Sequence, residues 1–160
     1  MVMKKRVSII LLVLVALAAI PMFTPDFVPF GEGTEGSSPP GGDPFKPDLQ
    51  GFGVPRPGEE VNLFLMNCLG DQPGYLIMGF WRDNTPAAGG VIYPKLQYVR
   101  QIWITALGGD PPVGYWSLVG WEVPANPALI GLSIFAQAIT ADPGNPNDVT
   151  LSNGLEMRIE

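Results

Sequence analysis

A chain of 160 residues with 20 Gly and 18 Pro has room for one modest folded domain with tails, and that composition favours short strands and turns over long helices. The formal net charge is −6, with no His and a single Cys. Those counts exclude Ser-His-Asp and Cys-His nucleophile systems, the common His-containing zinc sites and any thiolate cage.

The first six residues carry Lys4, Lys5 and Arg6, and the run Val7 to Ile20 holds one polar residue, Ser8. A basic start, an apolar run and the small residues Ala16, Ala18 and Ala19 make residues 1–20 a secretory signal peptide. The alternative is an uncleaved anchor, although fourteen residues fall short of the roughly 20 that span a bilayer. Loss of the leader leaves six cations against fifteen acids, a net charge near −9. A field of that sign repels phosphate, so nucleic acid is not an expected partner.

Residues 21–57 read as a Pro/Gly-rich linker. Between Gly31 and Gly58 stand eight Gly and six Pro, a composition expected to remain extended or disordered. Phe45, Leu49, Phe52 and Val54 are the exception, able to pin the later part of this stretch to the domain as an irregular edge.

From residue 58 apolar runs alternate with turn residues. Glu59 to Cys68 is apolar on both alternating faces, as in a strand covered on both sides, and Gly74 to Trp81 follows after one turn, which suggests a hairpin. Arg82 to Pro86 and the small residues to Gly90 read as a connection. Val91 to Tyr93 and Leu96 to Arg100 are short candidates for an edge, broken by Pro94. Gln101 to Ala106 and Gly114 to Val123 are further strands. Ala128 to Thr140 reads as a strand, with a helix as its rival. Val149 to Glu160 alternates strictly, one face apolar and one wet, with Asn153-Gly154 as a plausible bulge.

The whole predicts an all-β domain over residues 58–160, a two-sheet antiparallel immunoglobulin-like β-sandwich behind the signal peptide and the disordered linker. Val61, Leu63, Leu65, Ile77, Ile102, Ile104, Leu118, Ile130, Leu132, Ile134, Leu155, Met157 and Ile159 are its expected core. Cys68 is expected as a buried side chain at a strand end, with an intermolecular bridge as the alternative.

The closing segment has a pattern of its own: Pro127, Leu129-Ile130-Gly131, Gln137-Ala138, the turn Asp142 to Asn147 and Ser152-Asn153-Gly154. On these residues it resembles the C-terminal β-domain of many exported proteins of planctomycetes and similar environmental bacteria. The resemblance implies an extracytoplasmic β-sandwich of unassigned function and carries over no catalytic residue. Many relatives are expected to hold a partner for Cys68, which this chain lacks.

Candidate chemistry is sparse. Asp142, Asn145, Asn147 and Asp148 place four side-chain oxygens within seven residues, which a calcium ion could use, while an ordinary turn explains the same residues; no other cofactor is implied. Tyr75, Trp81, Tyr115, Trp116 and Trp121 form a candidate sugar-stacking set, with core packing as their other fate. Glu59-Glu60 and Glu122 with Glu156 are the acid pairs that a glycosidase would need, and solvated strand faces account for them equally well. The expected role is therefore a non-enzymatic structural or adhesive module, secreted or at the cell surface, that contacts envelope or matrix proteins or glycans, with membrane contact only through an uncleaved leader. The alternative is a carbohydrate-binding module. An open sheet edge also makes a homo-oligomer an expectation.

Overall fold

The computed structural model describes residues 26–38, 42–96, 100–105, 108–109 and 115–160, and gives the backbone alone for 100–103, 105, 108–109 and 115–118. The signal-peptide assignment lies outside the described residues, as do the side chains of Ile102, Leu118, Tyr115 and Trp116. Twelve strands and one short 3-10 turn, Pro127–Leu129, make up the regular structure of the described residues.

Two antiparallel sheets face one another. The first is ordered β1 (Phe27–Phe30), β12 (Gly154–Arg158), β10 (Ser133–Ala141), β4 (Pro73–Gly79) and β7 (Arg100–Thr105), with β11 (Val149–Leu151) also paired to β10. The second is ordered β2 (Asp48–Phe52), β3 (Glu60–Cys68), β9 (Tyr115–Glu122) and β8 (Gly108–Gly109). Leu49, Val61, Leu63, Leu65 and Trp121 from the second sheet meet Leu76, Met78, Ile104, Ile134, Ala136, Leu155 and Met157 from the first in one buried cluster. The all-β expectation holds, and Ala128 to Thr140 resolves into the 3-10 turn and a strand, with no helix.

Local sequence explains much of this. In β3 the inward residues Val61, Leu63 and Leu65 alternate with the half-buried Asn62, Phe64 and Met66, so the strand is fully covered on one face and only partly on the other. The register then slips between Leu65 and Cys68, where Asn67 adopts φ 54°. That bulge places Cys68 in the core together with Leu65, three residues earlier.

Several expectations fail for tertiary reasons. Glu59–Cys68 and Gly74–Trp81 do not form a hairpin: β3 is flanked by β2 and β9, so no free edge remains and β4 enters the opposite sheet. Arg82 to Ala87, read as a connection, is strand β5 and pairs with β6 (Gly90–Pro94) around Ala88 and Gly89, both at positive φ, as a two-residue hairpin turn demands. Ile130 and Leu132, expected in the core, stand in the turn before β10 at 57% and 46% exposure. The expected wet face of the last strand is dry at Thr150, Ser152 and Gly154.

The stretch read as a disordered linker accounts for that last difference. Residues 26–38 and 42–57 lie on the sandwich, contributing β1 and β2, and Phe45 and Leu49 are buried. Phe27 crosses over Gly51, and Phe30 lies against Gly154 so closely that a Cβ there would enter its ring. Gly154 is thus a contact residue as much as a bulge residue. Gly154→Val should overpack this contact and lower the urea unfolding free energy by about 1–3 kcal/mol, whereas Gly131→Ala, which meets open space, should cost less despite its φ of 84°.

Candidate interaction surface

The polar residues of the closing segment are engaged within the chain. Asn153 accepts from the Leu49 N–H at 2.7 Å and donates to the Leu49 carbonyl at 3.1 Å, so its amide replaces a missing strand partner for β2. Gln137, fully buried, accepts from Tyr93 N at 3.0 Å and donates to the carbonyls of Val91 and Ser152, both at 2.9 Å. This ties the β5–β6 hairpin to the outer face of β10. Ser152 Oγ accepts from Ala138 N at 2.9 Å and donates to the Asn153 carbonyl. Thr140 and Thr150 share a buried hydroxyl pair.

The candidate calcium loop belongs to the same network. Asp142 is buried and its carboxylate accepts from Ser37 N at 2.7 Å, from Ser37 Oγ and from Gly144 N. Asn145 accepts from Asn147 N and donates to the Glu35 carbonyl at 2.7 Å. Asn147 and Asp148 are exposed, Asp148 at φ 57°, and the Asp148 carbonyl accepts from Asp142 N. These are bonds of a tight turn gripping residues 35–37, and among the described residues no group of three or more Cys, Asp or Glu side chains stands ready for a metal.

The aromatic set does not form one platform. Trp121 is 8% exposed, and its ring lies in the inter-sheet core with Nε1 unpartnered, because β9 turns this residue inward. Tyr75 and Trp81 are both exposed but stand six residues apart along one strand line, roughly 20 Å. Between them Ile77 is covered by Ile92, Ala87 and Ala88 of the hairpin. Of the acid pairs, Glu122 and Glu156 are parted: Glu122 lies in the second sheet opposite Glu60, beside Glu59, while Glu156 lies in the first and accepts from Ser133 Oγ at 2.6 Å.

Two concavities are lined by described residues. A polar cleft of about 510 Å³ runs between the hairpin tip, Glu32 to Glu35 and Asn145 to Asn147. Its Lys46–Glu32 pair, 3.5 Å apart and well exposed, adds little energy. The other, about 340 Å³, is apolar and is walled by Phe80, Trp81, Leu129, Leu132 and Ser133. Phe80 and Trp81 meet edge to face at 6.2 Å, and Trp81 is 54% exposed. Of this group the sequence singled out Trp81 alone. Leu129 was read only as part of a motif and Leu132 as core, since an apolar residue before a buried strand carries no local mark of exposure.

Burial pushes the Cys68 thiol up to about 11 from its ordinary 9.0. The unfolded chain ionises first, so stability is complete below pH 9 and falls as pH rises from 9 toward 11, by on the order of 2 kcal/mol. Urea titrations across that range should show this slope, and Cys68→Ala should abolish it. Asn153→Ala leaves both main-chain groups of Leu49 unpaired and should cost about 1–3 kcal/mol; limited proteolysis should then cut first between residues 31 and 57. No protein-family model matches this chain, and no curated protein matches it.

Proposed function

We propose that this chain is an exported, non-enzymatic interaction module on an immunoglobulin-like sandwich, acting in the envelope or extracellular matrix. One observation carries the reading. The buried polar residues of the closing segment are spent on intrachain bonds, while solvent meets an apolar groove at one end. Among the described residues this offers contact surface rather than a recognisable reacting group.

The strand order supports the immunoglobulin-like arrangement. The chain changes layer between β3 and β4 and again between β9 and β10, so that β2-β3-β9-β8 faces a sheet containing β12-β10-β4-β7, the alternation of a Greek-key sandwich. The basic start and apolar run of residues 1–20 support export, as does the resemblance of the closing segment to exported β-domains. The acidity of the rest directs the search for partners to envelope proteins and glycans rather than nucleic acid.

Expression of the full chain with a C-terminal tag in a bacterial host tests this. The expected result is a tagged product that protease added to intact cells can reach, with an unchanged response to a glycan panel when Tyr75 is replaced by Ala. Full-length chain protected in the cytosol ends the proposal, and sugar binding lost in Tyr75→Ala replaces it with the carbohydrate-binding reading.

A further inference from the structure

The groove lies near Asp26, the first described residue. The Asp26 carbonyl accepts from Arg158 N at 3.0 Å, Arg158 is paired with Ser133, and Phe135 with Gly79, which brings Ser133 level with Trp81. Asp26, Ser133 and Trp81 therefore mark one end of the first sheet. Five residues separate Asp26 from the apolar run that closes at Ile20, a reach of at most about 20 Å. Whenever Val7 to Ile20 occupies a bilayer, this end of the sandwich is held beside its surface.

Of the eight exposed large hydrophobic side chains among the described residues, five gather there: Phe80, Trp81, Ile130, Leu132 and Leu96, whose neighbour Lys95 donates its N–H to the Trp81 carbonyl at 2.9 Å. We propose that this apolar end is a lipid-facing surface, which seats the domain in the interface of the bilayer that its own leader enters. Trp is suited to that zone, where its ring meets acyl chain and its indole N–H meets headgroups, while Phe, Ile and Leu enter the acyl layer beside it. Arg158, exposed beside the patch, can extend to phosphates. Glu59, Glu60 and Glu122 rim the other sheet at the same end, so the seated domain tilts onto the sheet containing β10. Glu32, Glu35 and Asp148 belong to the opposite part of the molecule, around the buried Asp142.

The inference deepens the reading above, and the two fail separately. The test uses the full chain reconstituted with vesicles of phosphatidylcholine and phosphatidylglycerol, with bromine on the acyl chains as a quencher of tryptophan emission. Expected are bromine-dependent quenching, loss of most of it in Trp81→Phe, and protection of Trp81 from iodide that disappears in Ile130→Ser/Leu132→Ser. Circular dichroism establishes that each variant is folded. Equal quenching in Trp81→Phe overturns the proposal, as does iodide access to Trp81 that lipid leaves unchanged. Protection without lipid, together with a doubled mass in light scattering, also overturns it by assigning the patch to a second copy. Export of the chain in cells is untouched by any of these outcomes.

Discussion

The Asn153 side chain, bonded to both main-chain groups of Leu49, is the constraint on which the rest of the sandwich depends. Residues 26–57 are too rich in Gly and Pro to hold a conformation by propensity, so their backbone groups need partners from elsewhere. The last third of the chain supplies them. Asn153 takes the backbone of Leu49, Asp142 takes Ser37, Asn145 takes Glu35, and the Leu151 main chain bonds Thr34 through both its N–H and its carbonyl. Each bond joins positions more than a hundred residues apart, so outside β2, which also pairs with β3, the N-terminal stretch depends on the closing strands for its partners.

The same dependence explains the buried polar residues of the outer layer. Gln137 is an unusual side chain to find fully buried in a central strand, and it is tolerated because all its hydrogen-bonding directions in use meet main-chain groups of the hairpin and of Ser152. With Gln137 as an anchor the β5–β6 hairpin lies over Ile77, a residue that would otherwise be exposed on the outer face of β4. One glutamine thus sets which part of the sheet is covered. It also divides Tyr75 from Trp81 and leaves the apolar end open.

That division shapes function. A sheet face with an uninterrupted aromatic row would suit a flat ligand, whereas a groove at the end of a sandwich suits a surface met end-on. The polar cleft at the far end and the apolar groove at the near end give the molecule two poles of different chemistry. Asp26, the first described residue, lies at the apolar one.

Apolar runs bounded by turn residues were enough to read the strands β3, β4, β7, β9 and β10, strict period-two alternation marked the closing one, and together they gave about half of the inter-sheet core, because burying a strand face imposes apolar residues directly on the sequence. Gln137, Asn153 and Asp142 were visible as a motif, yet their partners were not, since a hydrogen bond across a hundred residues leaves no local trace. Nor could the sequence tell that Ile130 and Leu132 face water while Phe45 and Leu49 do not, as apolar residues look alike until neighbouring strands cover them or leave them bare. The amino-acid sequence alone determined an all-β chain with its strands in these places. Only the tertiary structure decided that the Gly/Pro stretch belongs to the fold and that the exposed apolar surface sits near Asp26, because both follow from contacts between segments far apart in sequence.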